Sequence, residues 1–171
     1  IQDHLTDRGV KLHLNDGVAG LERQPDGSLV LKTRSGAVIE CDMVLLATGV
    51  RPEVRLARQA GLEIGDLGGI RVNDQMRTSD NNIWTVGDAV ETRNFITGEW
   101  SLVPLAGPAS RQGRIAADVI LGRDAGFRGV QGTMVCEVLG ITVAATGTSE
   151  NMLLSLKKVP YEKVYLHPGS H

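Results

Sequence analysis

The amino-acid sequence predicts an α/β fold, and three observations carry that expectation. Within Asp42–Gly49 the apolar run Met43 to Ala47 shows no polar alternation, the mark of a strand covered on both faces, as in a parallel sheet. Small residues Thr48 and Gly49 end the run and Pro52 opens a helical stretch, the strand-to-helix join such sheets use. A long amphipathic helix, Ala109 to Leu121, then gives way after Arg123 to alternating strands of the antiparallel kind, so a domain boundary is expected within residues 122–129.

The elements follow in order. Ile1 to Arg8 reads as a short helix stopped by Gly9, and Val10 to Leu14 alternates as a half-buried strand does. Gly17 to Arg23 and Ser28 to Thr33 are strands joined by Gln24-Pro25-Asp26-Gly27, where Pro presets one backbone angle and Gly accepts positive φ, so a hairpin is expected. A turn at Ser35-Gly36 leads to a strand at Val38 to Cys41, followed by the apolar run. Glu53 to Ala60 is a two-turn helix stopped by Gly61. Strands are expected at Ile70 to Val72 and Ile83 to Val86, the latter running into Gly87-Asp88. In the long helix Ala109, Ile115, Ala116, Val119 and Ile120 form one stripe, with Arg111, Gln112 and Arg114 off it. Val130 to Val138 and Leu139 to Thr146 read as antiparallel strands, Ser149 caps a helix over Glu150 to Lys157, and Tyr161 to Leu166 is a last strand.

Composition narrows the function classes. The 171 residues are 42% hydrophobic and 22% charged, the usage of an ordinary folded chain. A net charge of -2 argues against a sequence-independent grip on nucleic acid or anionic lipid. Apolar runs such as Val44 to Ala47 fall far short of the roughly 20 residues of a membrane span, so no membrane association is expected. Cys41 and Cys136 show no CxxC spacing, which points away from a zinc site or disulfide scaffold and toward a reducing, cytoplasmic compartment. Both lie in strands with apolar neighbours, where a free thiol behaves as a small hydrophobe. His167 and His171 are separated by Pro168 and Gly169 and cannot share a helix face as a metal pair would; no metal site is expected. With 21 glycines and only 4% aromatics, the chain favours backbone-lined ligand sites, and a start at Ile1 with a helix already under way suggests a piece of something longer.

Three segments could carry chemistry. At the end of a parallel strand Gly87 lets backbone amides approach a ligand, and the Asp88 carboxylate can accept hydrogen bonds from a polyol or ribose. Standing alone, a Gly-Asp pair equally well just turns the chain. Thr48 and Gly49 leave room for a flat ring or a crossing backbone, or serve a tight turn. Pro104-Leu105-Ala106-Gly107-Pro108 opens the long helix without a side-chain cap, so its unpaired amides await water or a ligand acceptor carrying partial negative charge. No GxGxxG is present; Gly65 to Gly69 has the wrong spacing and no preceding strand, so a dinucleotide's pyrophosphate loop is not in this chain.

Taken together, Asp42 to Pro52, Gly69 to Asn73 leading to Arg77-Thr78-Ser79, and Ile83 to Asp88 resemble the flavin-dependent pyridine nucleotide-disulfide oxidoreductases. Val103 to Pro108, Arg111 to Asp118 and Tyr161 to His171 look like the coenzyme A-disulfide reductases and NADH-dependent persulfide reductases within that family. The resemblance implies a fragment of a flavoprotein with two dinucleotide-binding domains, three-layered and Rossmann-like, plus the beginning of an α+β dimerisation domain. Residues 1–47 would be the C-terminal part of the NAD(H)-binding domain, 48–122 the C-terminal half of the FAD-binding domain and 123–171 an incomplete dimerisation domain. It further implies FAD and NAD(P)H as cofactors, a coenzyme A-type thiol or disulfide as the small-molecule substrate, and a homodimer. Asp88 would hold the flavin ribitol, Gly87 would admit the backbone, and Pro104, Leu105 and Ala106 would lie at the flavin ring, with Thr48 and Gly49 near the cofactors. Ser110, where relatives often carry Asn, would face substrate with a shorter side chain. The redox cysteine is expected upstream of Ile1, so no catalytic residue is assigned here and the fragment alone should not turn over. An NADH oxidase of the same architecture shares these features, and a non-catalytic dimerisation or interaction module is the reading from another class.

Overall fold

The computed structural model describes residues 1–156 and 160–166, in two units, one of Ile1–Val50 with Val138–Ile141 and one of Arg51–Glu137 with Thr142–His171.

In the first unit, helix α1 (Gln2–Asp7) ends at Gly9, whose φ of 84° suits glycine, and His4 Nε2 lies 3.1 Å from the Leu139 carbonyl oxygen. Strands β1 (Val18–Arg23), β2 (Leu29–Thr33) and β3 (Val38–Cys41) form an antiparallel sheet in that order. The β1–β2 turn closes as its residues predict: Gly27 takes φ 93° and donates to the Gln24 carbonyl at 3.0 Å. Val10 to Leu14 is not a strand. No ladder partner is offered to it among the described residues, and the chain instead turns at Asn15 (φ 56°) so that the Asp16 carboxylate receives the Ser35 amide at 2.9 Å and its hydroxyl at 2.6 Å.

The run Met43 to Ala47 is the larger departure. It is irregular rather than a covered strand, with Met43, Leu45 and Leu46 at 79%, 85% and 73% exposure. A doubly covered strand exists only by virtue of neighbours on both edges and both faces, and none pairs with it among the described residues.

The second unit holds helix α2 (Arg55–Gln59), which starts later than expected because the Glu53 carboxylate accepts the Arg55 amide at 2.8 Å just ahead of it. Strand β4 (Ile70–Arg71) pairs in parallel with β5 (Val90–Arg93), and β5 pairs antiparallel with β6 (Trp100–Ser101). Ile83 to Val86 is not a regular strand: it is reduced to a single antiparallel bridge between Trp84 and Arg77, flanked by the Thr78 amide on the Ile83 carbonyl at 2.9 Å and the Thr85 amide on the Met76 carbonyl at 3.1 Å. Helix α3 (Ala106–Ile120) begins three residues earlier than its apolar stripe and ends at Gly122, φ 77°. Its stripe is also different: Ile120 is 58% exposed, while Gln112, placed off the stripe by polarity, is 3% exposed. Val72, Met76, Val90, Ala116, Phe127 and Val130 form the core, with Trp84, Val103 and Ile115 against it.

Two fully buried side chains shape this unit. Met76 is 0% exposed yet sits at φ 61°, its carbonyl receiving the Thr85 amide at 3.1 Å. Glu91, also 0% exposed, accepts the Leu67 amide at 2.9 Å and the Gly69 amide at 3.0 Å on Oε1, with Arg71 Nε 3.7 Å from Oε2. Two amide donors and a neighbouring guanidinium are what make a buried carboxylate tolerable.

Strands β7 (Met134–Val138) and β8 (Ile141–Ala145) form a two-stranded sheet joined by Leu139 and Gly140, both at positive φ, the turn that matches strand twist. Helix α4 (Glu150–Leu156) is capped by Ser149, whose Oγ accepts the Met152 amide at 3.3 Å. Tyr161 to Leu166 is irregular rather than a strand; side chains hold it, Tyr161 and Lys163 both bonding to the Glu150 carboxylate. His167 to His171, and Lys157 at the end of the expected helix, lie outside the described residues. Among the described residues no helix is long and apolar enough to cross a membrane.

Candidate functional site

Five of the residues expected from sequence at the cofactor occupy the second unit, in the turn before β5 and at the start of α3. Gly87 and Asp88 form the turn leading into β5, and Gly87 needs its hydrogen side chain for conformation: φ is 93°, while nothing lies within 4 Å of where a Cβ would be. The Asp88 side chain is exposed and, among the described residues, accepts no hydrogen bond from the protein. A carboxylate in that state is an open acceptor for hydroxyl donors.

Pro104 and Leu105 lead into α3, where Leu105 is the extended N-cap residue with φ -133° and no side chain caps the helix. The amides of Ala106 and Gly107 therefore head the helix dipole without a side-chain partner, and Pro108 has no amide to offer. Pro104 and Ala106 are exposed and Leu105 is half-buried, so this end presents donors beside a small apolar surface.

One hydrogen bond joins the two elements. The Gly87 amide donates to Gln112 Oε1 at 2.8 Å, from turn to helix across 25 positions of sequence. Gln112 lies six residues into α3 from Ala106, a rise of about 9 Å along the helix axis. Sequence reasoning missed this residue by ranking it as polar surface; the signal was its spacing, three from Ala109 and four from Ala116, on the face those alanines define.

Ser110 is exposed on α3. Beside it Arg111 helps line a cleft of about 420 Å³ with Phe95, Pro108, Phe127 and Arg128, its guanidinium 5.7 Å from the centre of the Phe127 ring. Thr48 and Gly49 belong to the first unit, both exposed, with Gly49 at φ 91°. Cys41 is half-buried in β3 and Cys136 is exposed in β7, which corrects the expectation that both are packed as hydrophobes; the strand around Cys136 has few neighbours to cover it.

Chemically, a free carboxylate after a glycine turn suits a polyol, and an uncapped helix start beside apolar surface suits a ring bearing partial negative charge at its edge. That donor and acceptor set fits FAD.

Comparison with known proteins agrees. A family model described as pyridine nucleotide-disulphide oxidoreductase matches residues 1–113. The NAD(P)H sulfur oxidoreductase (CoA-dependent) of Pyrococcus abyssi is 42% identical over 113 residues, covering 66% of this chain and 25% of that protein. The NADH oxidase of Methanocaldococcus jannaschii is 36% identical over 160 residues, covering 94% of this chain and 35% of that one. The crystal structure of reduced Bacillus anthracis CoADR-RHD superposes with a TM-score of 0.87 at 44% identity, over 94% of this chain and 28% of that chain. The chain thus spans between a quarter and about a third of the length of these proteins.

Proposed function

The chain belongs to the pyridine nucleotide-disulphide oxidoreductase family, and from that premise we propose that it is the part of a flavoprotein reductase that holds FAD by its ribitol and by one edge of its ring. Bound FAD supplies the electron relay from NAD(P)H to a sulfur acceptor. The protein's own contribution is to bind and orient: Asp88 accepts hydroxyl donors, Gly87 lets the turn approach, and the α3 start at Leu105 and Ala106 places amide donors and the positive end of its dipole toward the ring. Pro104 fixes the approach to that start, and Thr48 and Gly49 are assigned to the cofactor by the family resemblance alone. The observation that carries this reading is the Gly87–Gln112 bond, which makes turn and helix start one construction rather than two isolated motifs.

The acceptor we propose is a coenzyme A disulfide or persulfide, reduced at a cysteine outside this chain, because neither Cys41 nor Cys136 lies on the turn or on α3. The kinship with a CoA-dependent sulfur oxidoreductase supports that substrate class. Ser110 and the neighbouring arginine-lined cleft are assigned to the substrate side. Residues 1–47, 48–122 and 123–171 are read as parts of the NAD(H), FAD and dimerisation domains of a cytoplasmic homodimer.

The test is to express the protein as encoded in its source, with any coding sequence contiguous to these residues, and to measure bound flavin. Asp88→Ala is expected to lower FAD affinity at least tenfold without shifting the thermal midpoint, since the side chain is exposed. NADH consumption that depends on coenzyme A disulfide or persulfide supports the reductase. Equal rates with oxygen alone favour the second reading, an NADH oxidase, to which the match over 160 residues lends weight. A colourless protein that forms a stable dimer would instead indicate a non-catalytic interaction module.

A further inference from the structure

We propose that Gln112 is a positioning residue for the cofactor: it fixes the distance and angle between the Asp88 carboxylate and the N-terminal turn of α3. The proposal rests on the FAD reading above and goes one step deeper into the same site. Its basis is a buried polar side chain in a place where an apolar one would pack more simply. Gln112 is 3% exposed on the helix face that, one turn on, buries Ala116 in the core with Val90 and Met76. A primary amide at such a position needs a partner, and its oxygen has one, the Gly87 amide at 2.8 Å. Because an N–H must donate, the acceptor atom facing Gly87 is the oxygen, and the orientation of the side chain follows.

The geometry makes this bond more than a packing contact. Gly87 sits at φ 93°, a conformation with no local side chain to steady it, so the turn takes its position from its hydrogen bonds. On its C-terminal side the Gly87 carbonyl accepts the Val90 amide at 3.3 Å, which ties it to β5; on its N-terminal side Gln112 ties it to α3. Asp88 is carried between those two anchors. Removing the Gln112 acceptor leaves the turn attached to the sheet alone, free to shift relative to the start of α3 that meets the other part of the ligand. A bidentate arrangement is sensitive to such shifts, because each end is held at the expense of the other.

The experiment uses the protein as encoded, with three variants. Gln112→Leu removes the acceptor at similar volume, Gln112→Glu keeps an oxygen at the same reach, and Gln112→Asn keeps the amide but withdraws it by one methylene. Two quantities are read: hydrogen exchange at the Gly87 amide, and FAD affinity with the visible circular dichroism of the bound flavin. Gln112→Leu is expected to speed Gly87 exchange at least tenfold, weaken FAD binding at least tenfold and change the dichroism; Gln112→Glu, which keeps the acceptor while burying a charge, should hold Gly87 exchange within about threefold of wild type. Should Gln112→Leu fail to fold, Gln112→Asn gives the same reading at smaller amplitude. Val119→Ala, on the same helix and away from the turn, provides a loss of stability against which any FAD effect is judged. Faster Gly87 exchange with FAD affinity within twofold of wild type overturns the positioning role, as does unchanged exchange. A wild-type protein that binds no FAD overturns the function proposed above and this proposal with it, and is told apart because it precedes any variant.

Discussion

Replacing Gly65 by Ala is a sharp test of how the buried carboxylate is seated. Gly65 does not need glycine's conformational range, since its φ lies outside the left-handed region, so on backbone grounds alone alanine would be neutral or stabilising by about 0.4–1 kcal/mol. Space decides otherwise. A Cβ at Gly65 would come to 1.9 Å from Glu91 Oε2 and 2.4 Å from Cδ. The carboxylate cannot swing aside at small cost, because Oε1 is held by the Leu67 and Gly69 amides and the whole side chain is buried. Displacing it strands those two donors, at about 1–3 kcal/mol each where burial is complete, so Gly65→Ala is expected to lower stability by about 2–6 kcal/mol. Glu91→Ala strands the same donors but opens the space, and Gly65→Ala added to it should cost less than about 0.5 kcal/mol. The double-mutant cycle therefore has a coupling of at least about 1.5 kcal/mol, read from urea unfolding with the denaturant slope unchanged. Additivity within about 0.5 kcal/mol would refute the seating of Glu91 against this loop.

Three further predictions follow from the same geometry. Gly87→Ala meets no atom but forces a side chain onto φ 93°, so it should cost about 1–2 kcal/mol and lower the melting temperature by a few degrees in a scanning calorimeter. Trp100 carries Arg93 at 4.0 Å and Arg71 at 4.8 Å from its ring centre; Trp100→Leu is expected to lose about 1–2 kcal/mol in chemical denaturation, roughly the sum of two cation–π contacts. The Ser35 hydroxyl, and after it the Ser35 amide, hold the Asp16 carboxyl below the usual carboxylate range. A depressed folded value means that this contribution to stability is present above the unfolded value and is lost as pH falls through the folded one. Ser35→Ala should raise the Asp16 titration midpoint toward the ordinary range in an NMR pH series; an unchanged midpoint would contradict the contact.

Where sequence and structure part, the cause is nearly always the number of neighbours a segment has. Gln24 to Gly27 and the strands beside it close by local chemistry, so they were legible. The run Met43 to Ala47 carries a pattern that means something only inside a larger sheet, and in this chain it meets no partner among the described residues. Strand β5 was invisible for the opposite reason: Val90, Glu91 and Thr92 are all buried, but a charge in the middle of the three hides the apolar signal. At the candidate site, glycine turn, carboxylate and uncapped helix were readable from residue types alone. Gln112 was not, because a glutamine on a helix reads as surface until the turn that it meets is known.

Met76 carries a consequence for how this region can change. Its side chain requires a large, flexible hydrophobe, and its backbone requires a residue at ease at φ 61°. Glycine or asparagine would relax the backbone, at about 1–2 kcal/mol, but would empty the core of a side chain whose removal costs about 2–5 kcal/mol. A β-branched residue would fill space and worsen the torsion. No single replacement satisfies both demands, so methionine holds the position as a compromise. Drift in sequence here must wait for compensating changes in the Asn73 to Arg77 turn, and a saturation library at residue 76 should return almost nothing but methionine and its nearest unbranched relatives.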